Sequence, residues 1–268
     1  MKRVLFIFAI WGLTAVVAFG QRSSENRTVS GFTGINASSV FTITVQRGST
    51  ESLVIEADDF TMPYVRSEVR EGVLHLYVDR RFGDNRVGRL NATVVMQNLE
   101  YVTLSGVNSL VAEDLFTPDR FRFNGRGVST LAVNLNTNQL EVEVSGIGNI
   151  EINANVSEYA RFRISGAPRI SGNLIAERVV FDYSGAGGVI LTGAAVNATI
   201  NASGAPNLNL VDFPIRNAVV NAPGAGTIQV NATDSLEINA TGVSTIRYTG
   251  TANVEIRQRG GMSRVRRL

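Results

Sequence analysis

The chain has 268 residues, no cysteine, one histidine and a single lysine at Lys2. Disulfides, thiolate metal sites and cysteine nucleophiles are therefore excluded, and so is Schiff-base chemistry beyond Lys2. The 25 basic residues less Lys2 and Arg3 leave 23 against 23 acidic ones, a neutral balance that argues against generic nucleic-acid binding.

Residues 1–20 read as a signal peptide. Lys2 and Arg3 form a positive start, Val4 to Val17 is almost wholly apolar, and Ala18-Phe19-Gly20 is a small-x-small cleavage pattern before Gln21. The apolar run is shorter than the roughly 18–20 residues a spanning helix needs, so the expectation is an exported chain with no transmembrane segment after cleavage.

Residues 21–101 contain strand-like runs at Val40–Val45, Leu53–Ala57, Val73–Val78 and Ala92–Met96, with turn signals at Arg47-Gly48 and Gly83-Asp84-Asn85. They are expected to form an N-terminal β region continuous with the repeats of residues 102–256 and covering the first coil.

Residues 102–256 carry an internal repeat. Gly106, Gly127, Gly146, Gly166, Gly185, Gly204, Gly224 and Gly242 recur about every twenty residues. Four positions before the glycine stand Val102, Phe123, Val142, Phe162, Phe181, Ile200, Val220 and Ile238, and three before it every residue is polar. This is the in-and-out alternation of a strand. Apolar columns also fall one after the glycine, from Val107 to Val243, and four after it, from Leu110 to Ile246. A twenty-residue unit with short strands and no helical period cannot bury its own apolar face, so it must stack on its neighbours. All three apolar columns are expected to merge into a continuous core, with the glycine at a corner whose backbone angle disfavours other residues. Seven positions after the glycine, Asn134, Asn153, Asn173 and Asn231 mark a second corner and predict a side-chain ladder. Val254, Ile256 and Gly260 read as a degraded last coil, and residues 257–268 as a basic tail shielding a sheet edge.

The chemistry on offer is sparse. His75 is expected to be an ordinary strand residue. Asp58 and Asp59 are adjacent, so in a strand they point to opposite faces and form no acid/base pair. Asp79, Arg80, Arg81, Asp84, Asn85 and Arg86 form the densest charged turn and are the candidate contact loop, although a solvated turn explains them as well. Ser184-Gly185-Ala186-Gly187-Gly188 has the glycines of a calcium-binding β-roll without its acids. Glycosylation-type triplets at Asn91, Asn197, Asn201, Asn231 and Asn239 arise from coil composition. Among the outward residues three before the glycine, only Glu143, Arg163 and Asp182 put charges on successive coils, and a surface salt-bridge ladder accounts for that triplet.

Val29-Ser30-Gly31-Phe32-Thr33-Gly34-Ile35-Asn36, Phe41-Thr42-Ile43-Thr44-Val45-Gln46, Glu71-Gly72-Val73-Leu74-His75-Leu76 and the serial Ser-Gly-x-x-x-aliphatic coils together resemble the "putative auto-transporter adhesin, head GIN domain" family of Bacteroidetes-type bacteria, a domain of unknown function. The resemblance spans nearly all of the chain after the leader. The repeats by themselves predict an all-β, single-stranded parallel β-helix of about eight coils of about 20 residues with an N-terminal β cap, and the resemblance implies that the helix is right-handed and placed on the cell envelope.

The function expected is an adhesin or binding module without catalysis, taking cell-surface glycans or envelope components as partners. A polysaccharide lyase or hydrolase, and a structural subunit that homo-oligomerises, are the alternatives. No catalytic, cofactor-binding or metal residues are expected, and the ligand-binding residues are left unassigned.

Overall fold

The computed structural model describes residues 22–83 and 87–268. The expected signal peptide at 1–20 and the turn residues Asp84, Asn85 and Arg86 lie outside them. The architecture is an all-β solenoid of about nine turns with a repeat near 19 residues and a mixed N-terminal sheet.

Strands β1 (Arg22–Arg27), β2 (Gly34–Ser39), β3 (Phe41–Arg47), β4 (Ser52–Asp58), β5 (Val65–Arg70), β6 (Val73–Val78) and β7 (Leu90–Met96) build the N-terminal part. Parallel pairing places β6 on β2 and β7 on β3, so residues 73–96 form a layer beneath 34–47 although they come later in the chain. Antiparallel strands then end the stack: β5 pairs with β6, β4 with β7, and β1 with β4. β8 (Tyr101–Phe116) returns to the other side of β2 and β3 and starts the regular coils.

The coils run through β9 (Arg120–Gly125), β10 (Val128–Val144), β11 (Ile147–Ile164), β12 (Ala167–Tyr183), β13 (Gly188–Ala202), β14 (Asn207–Ala222) and β15 (Thr227–Ala240). All pair in parallel, and the register matches the glycine spacing: Val128 faces Ile147, Ile147 faces Ala167, and Asn207 faces Thr227. β16 (Thr245–Thr249), β17 (Asn253–Arg259) and β18 (Arg264–Arg267) complete the stack. Residues 257–267, read from sequence as part of a basic tail, thus contribute strands, and Gly261 stacks on Gly242.

The core is the stack of columns four before and four after each glycine, from Val102 to Ile238 and from Leu110 to Ile246, all essentially inaccessible. Phe162 and Phe181 stack at 5.1 Å between ring centroids. Each such side chain contributes roughly 1.5–3 kcal/mol by burial.

Two expectations change. The column one after the glycine is not core: Val107, Val128, Ile147 and Val243 are 41–53% exposed. The chain turns at the glycine, so the inward position is the next residue, occupied by buried Ser129, Pro168, Pro206 and Ser244. The reason for glycine also differs. Positive φ is confined to Gly106, Gly127 and Gly261 within the column. At Gly146, Gly166, Gly185, Gly204, Gly224 and Gly242 an added Cβ would come closer than 3.0 Å to the carbonyl oxygen of the preceding coil's glycine. That oxygen already accepts a backbone N–H, as Gly166 does from Ala186 at 3.1 Å and Gly185 from Ala205 at 2.9 Å. Backbone stacks directly on backbone, leaving no room for a side chain.

Candidate functional site

Strand alternation gives each coil outward rows on distinct faces. One face carries the residues three, five and seven before the glycine, and its polar groups are joined across coils. Arg122 pairs with Glu141 at 2.8 Å, and the Tyr159 hydroxyl donates to Glu141 at 2.8 Å. Arg161 pairs with Asp182 at 2.7 Å, and Asn201 donates to the other Asp182 oxygen at 2.9 Å. The chain of amides continues: Asn221 donates to Asn201 and Asn239 to Asn221, each at 2.9 Å. A parallel set links Ser235 to Asn217 and Asn217 to Asn197. These amides supply the glycosylation-type triplets at Asn197, Asn201 and Asn239, so the ladder accounts for those asparagines.

Glu143, Arg163 and Asp182 do lie in register on this face. They do not form the ladder expected of them. Asp182 turns to Arg161, in the neighbouring row, while Glu143 and Arg163 are exposed and make no ion pair with each other. A shallow cavity of about 330 Å³ holds Glu141, Glu143, Arg122, Arg163 and Tyr101. Burial pushes Glu141 up, but the Tyr159 hydroxyl and the Arg122 guanidinium outweigh it and leave the carboxyl below the usual range. Asp182 shows the same pattern, with burial overcome by Asn201 and Arg161. A glycoside general acid needs the opposite, a carboxyl that keeps its proton near neutral pH.

The asparagine corner behaves as expected for three of its members. Asn153 donates to Asn134 at 3.1 Å, the Asn173 backbone donates to Asn153 at 3.0 Å, and Asn173 continues to Thr192 at 3.1 Å. Asn231 instead donates to the Val211 carbonyl.

The N-terminal candidates are structural. His75 lies half-buried in β6, opposite Glu68 across the antiparallel pair. Asp58 ends β4 with Arg22 at 4.0 Å, and Asp59 sits in the turn after it. Asp79 caps the short helix Arg80–Phe82, accepting from the Arg81 backbone at 3.0 Å and side chain at 2.7 Å, with Arg66 at 3.3 Å. The hydrogen bonds from Arg81 hold its carboxyl far below the usual range. Asp79 thus ties the described part of the turn, Arg80–Phe82, to Arg66 of β5.

A second face carries the rows one, three and five after the glycine, and holds a groove of about 600 Å³. Its origin is in side-chain size. The outer row falls from Val107, Val128 and Ile147 to Ala167, Ala186, Ala205 and Ala225, and in the next row Gly188 lacks a side chain between Arg169 and Asn207. Asn149, Arg169, Asn207, Asn209, Gln229 and Ile190 line the depression. Sequence reasoning missed it because the alanine column was assigned inward. The run of small residues in Ser-Gly-Ala-Pro and Ser-Gly-Ala-Gly-Gly was the available signal.

Family membership is decided by similarity to known proteins. The family model described as "putative auto-transporter adhesin, head GIN domain" matches residues 31–172 and 156–252. The chain belongs to this family. Solved structures agree on the fold. A "putative adhesin" from Parabacteroides merdae is 19% identical with a TM-score of 0.62, over 93% of this chain and 97% of that one. A "putative adhesin" from Parabacteroides distasonis is 19% identical with a TM-score of 0.64, over 93% and 98%. A "putative lipid binding protein" from the same species is 20% identical with a TM-score of 0.63, over the same shares. No curated protein matches the chain in sequence. Among the described residues of this family member, no group of three His, Asp or Glu side chains is arranged to hold a metal ion.

Proposed function

We propose that this protein is an exported, surface-acting adhesin that binds a component of the cell envelope or its surroundings without turning it over. Membership of the adhesin family supports the binding half of the reading. The observation that carries the non-catalytic half is the state of the charged face. Glu141 and Asp182, the carboxylates best placed among neighbouring cations, are committed to Arg122, Tyr159, Arg161 and Asn201 and favour their ionised forms. A static network of this kind positions its own members and offers no proton donor to a leaving group.

The test is a panel of bacterial and host polysaccharides and matrix proteins presented to the purified protein, scored for retention and for product. Retention without product is expected. Depolymerisation that disappears when Glu143, Arg163 and Asp182 are replaced together by alanine would overturn the proposal in favour of an enzyme.

A further inference from the structure

The grooved face differs from the rest of the surface in how its polar groups are used. On the charged face the amides and most guanidinium groups are spent on one another. On the grooved face Asn149, Arg169, Asn207 and Gln229 make no side-chain hydrogen bond to any described residue. Asn209 alone is engaged, accepting from the Val211 backbone at 3.3 Å. Groups able to form several hydrogen bonds are thus displayed unspent around a concave surface.

Charge on this face is also one-sided. From β8 to β18, Glu151 is the single carboxylate at the positions one, three and five after the corner, whereas Arg169, Arg247, Arg264 and Arg266 are cations there. None of the four has an acidic partner among the described residues, and the Nε of Arg247 is buried with no partner there at all. Arg247 stacks on Gln229 at one end of the groove, and Arg266 stacks on Arg247. The apolar side of the groove is supplied by Ile190, 46% exposed, with Ala167 and Ala186.

We infer that this groove is the binding site for an acidic polysaccharide, one whose sugar units carry carboxylates, lying along the stacking axis with Arg169 and the Arg247 row pairing its charges. This rests on the reading of the protein as a binding module and names its ligand class. Asn149 to Gln229 spans four coil intervals of ~4.8 Å, roughly 19 Å, enough to seat a short stretch of extended chain. Free amides match sugar hydroxyls, an arginine fork matches a carboxylate, and Ile190 with the alanines can take the C–H face of a ring. A nucleic acid is the poorer fit, because no outward position on this face carries an aromatic ring on which a base could stack.

The experiment is a titration of the purified protein with alginate oligosaccharides, with dextran and single-stranded DNA in parallel. Two variants complete it. Arg169→Gln removes one unpaired charge. Gly188→Phe fills the notch; Gly188 has no positive φ, and the Cβ of the new side chain meets nothing nearer than the Asn207 carbonyl oxygen at 3.5 Å. The expected result is alginate binding that weakens with salt, falls about tenfold or more in Arg169→Gln, as for a lost charge-assisted hydrogen bond, and is abolished in Gly188→Phe, with dextran and DNA bound far more weakly. Alginate affinity unchanged in both variants, or DNA or dextran bound as tightly as alginate, would overturn the assignment. No alginate binding by the unmodified protein would overturn it as well. The wider panel then separates the two claims: retention of another component leaves the adhesin reading standing, and silence throughout removes both. Should Gly188→Phe lose its fold, Arg169→Gln and a paired Asn207→Ala, Gln229→Ala variant decide the matter alone.

Discussion

Two glycines three residues apart make opposite predictions. At Gly185 an added Cβ would press within 3.0 Å of the Gly166 carbonyl oxygen, which accepts from Ala186 N–H at 3.1 Å. Gly185→Ala must therefore push two coils apart at the corner. Overpacking costs about 1–3 kcal/mol and the weakened backbone bond about 1 kcal/mol more, together about 2–4 kcal/mol. At roughly 2–4 °C per kcal/mol for a chain of this size, the melting temperature should fall by roughly 4–16 °C. At Gly188 the added methyl meets only an ordinary contact at 3.5 Å. Gly188→Ala should be neutral or stabilising by about 0.4–1 kcal/mol, through the smaller entropy of the unfolded chain. Both substitutions share that unfolded-state gain, so their difference isolates the clash. Thermal unfolding monitored by circular dichroism reads both. Equal melting temperatures for the two variants would refute the claim that glycine is required at the corner by backbone-on-backbone stacking.

Particular groups carry the remaining predictions. The buried Tyr183 hydroxyl lies beside the Gly187 backbone without a well-formed hydrogen bond, so Tyr183→Phe should raise stability by up to about 1 kcal/mol in denaturant titration. Burial also pushes the Tyr183 hydroxyl up to about 12 from the ordinary 10.0, so its titration leaves stability untouched below pH 10 and lowers it as pH rises toward 12, where the unfolded chain ionises first; Tyr183→Phe should flatten that alkaline decline. Asp182 is held below its ordinary 3.8, so its contribution is present above that value and disappears as pH falls through the lower folded-state value; Asp182→Asn should shallow the acid limb of the stability profile. Glu71 has φ 51° and Gly72 φ 75° in the two-residue turn between β5 and β6, where asparagine tolerates the left-handed region better; Glu71→Asn should stabilise by a few tenths to about 1 kcal/mol, measured as a shifted denaturation midpoint.

Much of the solenoid was legible because stacking superimposes like residues. A column such as Val102 to Ile238 repeats its character at every coil, and the glycine spacing transferred directly into the strand register. The inward or outward sense of a corner residue was not legible. Ala167 and Ala186 look like core in sequence, yet a corner breaks the two-residue alternation and turns them to solvent. The N-terminal order was hidden for another reason. β6 and β7 pair beneath β2 and β3, a long-range arrangement that no local pattern encodes. The charged triplet was placed correctly in one column, but its partners were not. Sequence columns carry no information about neighbouring rows, and Asp182 found Arg161 there. The groove escaped notice because it is made by missing side chains, at Gly188 and along the alanine row, where a search for reactive residue types finds nothing.

Binding on the grooved face and the absence of chemistry on the charged one can be read in a single sample. Side-chain amide signals of Asn149, Asn207 and Gln229, assigned by NMR and tracked as alginate oligosaccharide is added, test both most directly when reducing ends are counted alongside. Shifts are expected at those three amides, none at Asn201, Asn221 or Asn239, with a constant count of reducing ends. Shifts confined to the Asn201–Asn239 ladder, or a rising count of reducing ends, would contradict it.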